Sequence, residues 1–301
     1  MNDRPKIILL YVLICLIWGS TWLVIKIGLE TMPPLLAAGC RFSLASVILY
    51  AYVKLRKIPI PFDARMKKFY VTVAFYSFSV PFALVYWGEQ HISSGLTAVL
   101  FGIYPFSVAL FSYLFLPAER MNASKAAGIV LGFAGVFVIF ANDMHLNDTL
   151  AIWAMAAIVA SAVMQAYSVI VIKKEAHTVS PFVTLLVPTA ISSVMLLASS
   201  LAIENLSGVS FTPAAIGSIV YLAIIGSIVT FVSYFWLLKH MEAVILSLSA
   251  FITPIIAVTL GVVLNNEALS SQTAVGAACV LCGIVVANAA DLRRVLRRSS
   301  K

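Results

Sequence analysis

The sequence predicts an all-α integral membrane protein with ten transmembrane helices arranged as two inverted five-helix repeats. Of its 301 residues, 62% are hydrophobic and 11% are charged, and the mean hydropathy is +1.03. This composition lies outside the range of soluble globular proteins. Apolar runs of about 20 residues, the length that crosses a bilayer, recur ten times along the chain. The features of the first five runs also reappear in order in the last five.

The ten apolar runs fill almost the whole chain, so no soluble domain is expected. The first run follows two cations, as a secretory signal does, but it continues past Trp22 without a small-residue cleavage site. We therefore interpret it as the first transmembrane span. The approximate centres of the ten spans are Trp18, Ala45, Val80, Pro105, Gly132, Ala160, Ser192, Ile225, Pro254 and Cys282.

The basic residues are concentrated on one side of the predicted topology. Of the 20 Lys and Arg, all but Lys26 and Arg41 lie in the tails or in connections that share a side with the N-terminus. The positive-inside rule then predicts that both termini are cytoplasmic, in a multi-pass protein of the inner (plasma) membrane. Topology explains the net charge of +8. The lipid bilayer is the expected partner, and no nucleic acid is.

A shift of 148 residues aligns the two halves of the chain, placing Tyr86 on Tyr234 and Pro33 on Pro181. It predicts a first repeat at residues 6–141, a second at 149–290 and a basic cytoplasmic tail at 291–301. Because each repeat has five spans, an odd number, the second repeat enters the membrane in the opposite sense. Inverted repeats of this kind are typical of carriers that work by alternating access.

The fourth and ninth spans each carry a proline in the middle of the apolar run and a glutamate at its end. Pro105 and Pro254 predict kinked or discontinuous helices, because proline lacks a backbone donor. Paired interrupted helices point to the binding site of a transporter. We interpret Glu119 and Glu267 as structural carboxylates at helix ends, with proton coupling as the alternative.

The fifth and tenth spans are rich in small residues, including Gly128 and Gly135 in one and Gly276 and Gly283 in the other. Small residues spaced along a helix let backbones approach closely in lipid. Two interpretations are open. The glycines pack against neighbours within the chain, or they form a homodimer through the fifth or tenth helix.

Two cations lie inside predicted spans. Lys26 is near the end of the first span, where it either reaches the interface or pairs with Glu30, or else contacts substrate. Arg41 lies about 10 Å past the start of the second span at Pro33. A guanidinium at that depth needs a partner or a watery cavity. It either anchors an anionic substrate or caps the carbonyls of a broken helix.

Polar and aromatic residues inside other spans are candidates for the walls of a substrate cavity. Ser20 follows a glycine in the first span, and Gln165 is an amide that needs hydrogen-bond partners at membrane depth. With the two cations, the candidate substrate-binding residues are Arg41, Lys26, Trp18, Ser20, Trp87, Gln165, Tyr167 and Tyr234.

No motif in the sequence predicts an enzyme, a metal site or a cofactor. Cys279 and Cys282 form C-x-x-C inside an apolar span without a second pair of ligands, so neither zinc nor a redox function is expected. The nucleotide-binding, serine hydrolase and zinc protease signatures are absent from the sequence. We also find no Asp or Glu near the middle of any span, which favours facilitated diffusion or exchange.

The order of these motifs resembles the drug/metabolite transporter superfamily, specifically its EamA-type branch. That family carries W-G, a small polar residue and a lysine in its first span, then an R-F-like pair in its second. Its fourth and ninth spans carry proline followed about thirteen residues later by glutamate. The matching residues here are Trp18, Gly19, Ser20, Lys26, Arg41, Phe42, Pro254 and Glu267, whereas Pro105 to Glu119 is one residue longer.

The resemblance implies a secondary transporter with a central cavity between two homologous halves. Members of this family usually export amino acids, related metabolites or drugs. We therefore expect export of amino acids or related small molecules, with efflux of lipophilic or cationic drugs as the alternative. The alternatives from other classes are a non-transporting membrane scaffold and an integral-membrane enzyme.

Overall fold

A computed structural model describes residues 4–116 and 149–265, together with isolated helical positions between 124 and 138 and between 271 and 286. Within these residues every regular element is helical, which confirms the predicted all-α fold. Seven of the described helices are long and apolar enough to cross a membrane: α1 (Arg4–Leu29), α2 (Pro34–Leu55), α3 (Ala64–His91), α4 (Ser94–Phe115), α5 (Thr149–Glu175), α6 (Pro181–Ile203) and α7 (Pro213–His240).

An eighth helix, α8, covers residues 243–265 and consists of Ala243–Ser247, Leu248–Phe251 and Ile252–Asn265. Helices α1 to α4 correspond to the first four predicted spans, and α5 to α8 correspond to the sixth to ninth. The fifth and tenth spans are described only at isolated helical positions. The total of ten spans therefore stays a prediction.

The same departures from α-helical geometry occur in both halves. A π-helical segment interrupts α3 at Ala74–Ser79, and another interrupts α7 at Ile224–Val229. Similarly, 3₁₀ turns interrupt α4 at Phe101–Ile103 and α8 at Leu248–Phe251. Helix irregularities of this kind mark places where side chains or partners interrupt the regular ladder. Their recurrence in equivalent helices confirms that the two halves are structural repeats.

The two prolines lie in the first turn of the α-helical segments that follow the 3₁₀ turns. Pro105 is the second residue of the segment Tyr104–Phe115, and Pro254 is the third residue of Ile252–Asn265. A proline at the first turn of a helix removes a donor that has no intrahelical acceptor there. The α-helix therefore starts afresh at each proline, and the irregular backbone lies on its N-terminal side.

Contacts between loops show that the repeats are inverted. The α1–α2 loop meets the α6–α7 loop, where the Ser210 amide donates to the Thr31 carbonyl at 3.2 Å. The equivalent loop of the second half, between α5 and α6, lies at the opposite end, where Arg65 and Glu175 form a salt bridge at 2.6 Å. The first loops of the two halves are therefore at opposite ends of the bundle, as predicted.

The start of α2 is capped by a side chain from the other half. Pro33 precedes the helix without offering a side-chain acceptor. Instead, the carboxylate of Glu204 accepts from the amides of Leu35 and Leu36 at 2.7 and 3.0 Å. Free amides and the helix dipole both favour a carboxylate at this position.

The described glycines of the fifth and tenth spans face the interior of this chain. Gly128, Gly135, Gly276 and Gly283 are all buried. Neighbouring Val130, by contrast, is 70% exposed. This burial favours packing within the chain for the glycine faces. A homodimer through the fifth or tenth helix stays a prediction.

Candidate functional site

A central cavity lies between the two halves and is partly open to the surroundings. Eight aromatic residues are among those that line it. The first half contributes Trp18, Trp22, Phe82, Phe101 and Tyr104, and the second half contributes Phe231, Tyr234 and Phe235. A concave, mostly apolar site with a few polar groups is the usual form of a small-molecule site.

One face of α1 forms a wall of the cavity. Trp18, Thr21, Trp22 and Ile25 all line it, at the spacing that places residues on one side of a helix. The Trp18 ring packs against Tyr234, with centroids 5.1 Å apart. These contacts join the first span of one repeat to α7 of the other.

The 3₁₀ turn of α4 brings a second pair of residues to the cavity. Phe101, in that turn, stacks on Tyr104 with centroids 5.6 Å apart. The Tyr104 hydroxyl lies 2.7 Å from the Tyr234 hydroxyl, which is another contact across the seam between the halves. The break before Pro105 thus places two aromatic side chains at the site.

Arg41 is the charged group of the cavity wall, and its side chain is only 2% exposed. The guanidinium binds the π-helical segment of α7: Nε donates to Ser227 Oγ at 2.9 Å and Nη2 to the Gly226 carbonyl at 3.2 Å. Nη1 donates to the Tyr86 hydroxyl at 3.3 Å. Its carbon lies 4.8 Å from the Phe82 ring centroid, in cation–π range.

This geometry combines the two interpretations of Arg41. The guanidinium binds a backbone carbonyl exposed by a helix irregularity, and it also lines the cavity. A guanidinium has five N–H donors, and three of them are used in these bonds. Among the described residues that line the cavity there is one cation and no carboxylate. The charge on the described lining residues is therefore positive, in surroundings of low polarity.

The other polar groups at the cavity come from both halves. Gln165 lines it and donates through Nε2 to Ser161 Oγ at 3.2 Å. Ser77, in the π-helical segment of α3, donates to Ser168 at 2.6 Å. Ser249 and Thr253 line the cavity from α8. These groups can accept or donate hydrogen bonds without adding charge.

Lys26 does not line the cavity. It connects the end of α1 to the end of α3. Its ammonium donates to the carbonyl of Ile92 at 3.0 Å and also to that of Glu89, rather than pairing with Glu30. Lys173 makes the corresponding contact in the second half, to the Met241 carbonyl at 3.3 Å. A cation at a helix C-terminus is favourable because the last carbonyls lack helical partners.

Three other candidate residues also lie away from the cavity. Ser20 shares a hydrogen bond with the Tyr221 hydroxyl at 2.7 Å. Tyr167 packs against Tyr76, with centroids 5.2 Å apart. Trp87 lines a separate vestibule formed by the α1–α2 and α6–α7 loops. The structure thus brings Trp18, Arg41, Gln165 and Tyr234 together and separates them from Lys26, Ser20, Trp87 and Tyr167.

Glu119 and Glu267 lie outside the described residues. The structure adds Trp22, Phe82 and Phe231 to the site. Trp22 had a detectable signal, because it is four residues from Trp18 and shares its helical face. Phe82 and Phe231 had none, since single phenylalanines in apolar spans are common and their orientation depends on tertiary packing.

The sequence profile of the EamA-like transporter family matches residues 5–141 and again residues 152–289. The chain belongs to the EamA-like transporter family. The two matches cover both halves, in agreement with the repeated irregularities of their helices. The all-helical fold and the family together identify a multi-pass membrane transporter.

Several curated relatives match this chain over most of both lengths. Protein PagO of Salmonella typhimurium is 28% identical over 270 residues, which cover 90% of this chain and 88% of PagO. The uncharacterized transporter YoaV of Bacillus subtilis is 26% identical, covering 93% of this chain and 95% of YoaV. The uncharacterized inner membrane transporter YedA of Escherichia coli is 28% identical, covering 85% and 81%.

A solved crystal structure has the same fold. It superposes with a TM-score of 0.71 over 94% of this chain and 97% of the other, at 18% sequence identity. At that identity the likeness concerns the fold alone. It agrees with the EamA-like architecture derived from the repeats.

Proposed function

We propose that this EamA-like transporter is a secondary carrier that exports amino acids or related small organic metabolites by alternating access. The supporting observation is a buried Arg41 at an aromatic cavity on the seam between inverted halves. Inverted repeats provide two related states that open at opposite ends. A cavity between the two halves can open to one side of the membrane in one state and to the other side in the other state.

The charge of the cavity favours an anionic or zwitterionic solute. Opposite charges attract strongly where the surroundings are poorly polarisable, and like charges repel. Two N–H donors of Arg41 are not used in its bonds to Ser227, Gly226 and Tyr86. A carboxylate could accept from these donors while the apolar part of the solute packs on Trp18 and Phe231.

The proposed location is the inner membrane, with both termini in the cytoplasm. The basic loops support this orientation. The end where Arg65 pairs with Glu175 would then face the cytoplasm. The end with the vestibule next to Trp87 would face the outside.

The aromatic walls support a second candidate, efflux of lipophilic drugs. Aromatic side chains bind flat apolar molecules through large contact areas. A cationic drug would be attracted to the ring faces but repelled by Arg41. The charge of the preferred solute therefore separates the two candidates.

A screen of compounds that are similar in shape but differ in charge tests the proposal. Phenylpropanoate, phenylpropanamide and phenylpropylamine differ mainly in their charge, and the common amino acids extend the series. We expect amino acids or the carboxylate to raise the melting temperature of detergent-purified protein, because a ligand that binds only the folded state stabilises it. Stabilisation by the amine alone would favour drug efflux instead.

Transport itself is measured in proteoliposomes with the solute that the screen selects. We expect saturable flux that is accelerated by unlabelled solute on the opposite side. A channel shows no such exchange, and a scaffold shows no flux. Chemical conversion of the solute by purified protein would instead support an enzyme.

A further inference from the structure

Trp22 has an unpaired hydrogen-bond donor at the cavity. Its side chain lines the site and is 9% exposed. The indole Nε1 is buried and has no acceptor among the residues that the structure describes. Buried polar groups are nearly always hydrogen-bonded, so an exception calls for a physical explanation.

Neighbouring polar groups of the same cavity have partners. The Thr21 hydroxyl donates to the Trp18 carbonyl at 2.8 Å. The hydroxyls of Tyr104 and Tyr234 bond to each other at 2.7 Å. The unpaired donor is therefore not a general property of this region.

The surroundings of Trp22 explain how its donor stays unpaired. Its ring packs against Phe101, with centroids 5.2 Å apart and planes tilted by 55°. An aromatic neighbour supplies a large contact area but no oxygen or nitrogen acceptor. Leaving a donor unbonded in such a place costs free energy.

We propose that Trp22 donates its indole N–H to a hydrogen-bond acceptor on the transported solute. The solute then carries an acceptor oxygen or nitrogen on its otherwise apolar part. This acceptor is a different group from any that Arg41 binds. This inference deepens the proposed function, because it names a specificity-determining residue of the same cavity and the chemical feature that it recognises.

The hydrogen bond between Trp22 and the solute also makes closure of the cavity depend on whether a solute is bound. Closure around a cavity without an acceptor would leave the Trp22 donor unpaired, whereas an acceptor on a bound solute would satisfy it. Closure is therefore less favourable for an empty carrier than for a loaded one, because a ligand shifts an equilibrium by its differential affinity for the two states. The expected consequence is that exchange of solutes is faster than net flux.

The test compares solutes that differ only in an acceptor. Methoxy and ethyl substituents have similar shapes, and only the methoxy group carries an acceptor oxygen. The screen that varies charge selects a parent compound, such as phenylpropanoate. The methoxy and ethyl groups are then placed in turn at each position of its ring. We expect wild-type protein to bind the methoxy compound about tenfold more tightly at one position, the effect of one buried hydrogen bond.

The indole N–H is then removed. Trp22→Phe is expected to erase the preference for methoxy over ethyl and to reduce the ratio of exchange to net flux. Replacement of Trp22 by benzothienylalanine removes the N–H but keeps the ring shape, so it tests the donor even if Trp22→Phe folds poorly. Trp153→Phe is the matched control, because Trp153 is 63% exposed on the bundle surface.

The outcomes separate this inference from the proposed function. A methoxy preference that persists in both Trp22 variants would overturn it, as would equal binding of every methoxy and ethyl pair by the wild type. Neither result affects the charge preference that supports the proposed function. If the amine scaffold binds instead of the carboxylate, the same pairs are built on the amine and Trp22 is tested independently of Arg41.

Discussion

Arg41 supplies the charge of the cavity wall and binds the α7 irregularity. Its bonds to Ser227 and Gly226 hold the π-helical segment against α2. A planar guanidinium can reach several acceptors in fixed directions, whereas an ammonium is a single point charge on a flexible stem. The side chain therefore acts in binding and in packing at once.

Arg41→Ala is expected to abolish transport while leaving membrane insertion normal. Arg41→Lys keeps the charge but cannot reach Ser227, Gly226 and Tyr86 together, so we expect it to lose about 1–3 kcal/mol of stability and most of the transport activity. Flux and melting temperature are measured for both variants. Unchanged flux in Arg41→Ala would contradict a role in substrate binding. Full activity in Arg41→Lys would show that the planar guanidinium, with its several donors, is not needed.

Among the helices, α2 depends on a cap supplied by the other half. Its first amides are bound by Glu204, which belongs to the end of α6. The helix starts at Pro34, and the preceding Pro33 provides no side-chain cap. This contact therefore couples the start of α2 to the inverted repeat.

Glu204→Ala is expected to lower stability by about 1–2 kcal/mol, because two amides lose their acceptor and the favourable charge at the helix start disappears. Glu204→Gln keeps one acceptor and should lose less. Thermal unfolding in detergent measures both, with Glu30→Ala as the control, an exposed glutamate at the same end. Equal effects of Glu30→Ala and Glu204→Ala would contradict the capping role.

Helix α2 also packs closely on α6 at Gly39. A Cβ atom added there would lie 2.7 Å from Leu197 Cδ2 and 3.3 Å from the Leu197 amide nitrogen. A larger residue here would therefore press on both the side chain and the backbone of Leu197. Small residues have this function in helix pairs within membranes.

Gly39→Ala is expected to cost about 1–3 kcal/mol of stability through overpacking, measured as a lower melting temperature. Adding Leu197→Ala should restore part of the loss, because it removes the nearest side-chain atoms. Gly217→Ala is the matched control, since a Cβ there meets nothing within 4 Å. A stable Gly39→Ala protein would show that α2 and α6 separate easily.

At the scale of the whole molecule, lysines join helix ends at opposite ends of the bundle. Lys26 binds the carbonyl end of α3. At the other end, Lys239 donates to the carbonyls of His177 and Val179 in the α5–α6 loop. For a carrier with two related states, such contacts stabilise closure of the end where they form.

Lys26→Met is expected to favour opening of the end proposed to face outside, and Lys239→Met to favour the cytoplasmic end. The measurement is labelling of a Thr253→Cys reporter in the cavity by an impermeant thiol reagent, in protein without its native cysteines. With reagent outside, labelling should rise in Lys26→Met and fall in Lys239→Met. Lys54→Met is the control. The same change in labelling in all three variants would contradict the idea that Lys26 and Lys239 stabilise closure of opposite ends.

The sequence predicted the membrane fold and its repeats better than the site. Of eight candidate substrate-binding residues, Trp18, Arg41, Gln165 and Tyr234 line the cavity. Ser20 does not, although it adjoins Thr21, which does. Neighbours on a helix differ in direction by about 100°, so adjacent positions face different surroundings. The π-helical segment that binds Arg41 has no signature that we could detect in the sequence.

By itself, the sequence determined that this chain lies in a bilayer, repeats itself and inverts its second half. These properties depend on composition, run length and the count of spans, which are local or additive along the chain. Only the tertiary structure decided that Lys26 binds helix-end carbonyls, that Glu204 caps α2 and that Trp22 keeps an unpaired donor. Each of these depends on the rotation of a helix and on groups from distant spans, which sequence distance does not encode.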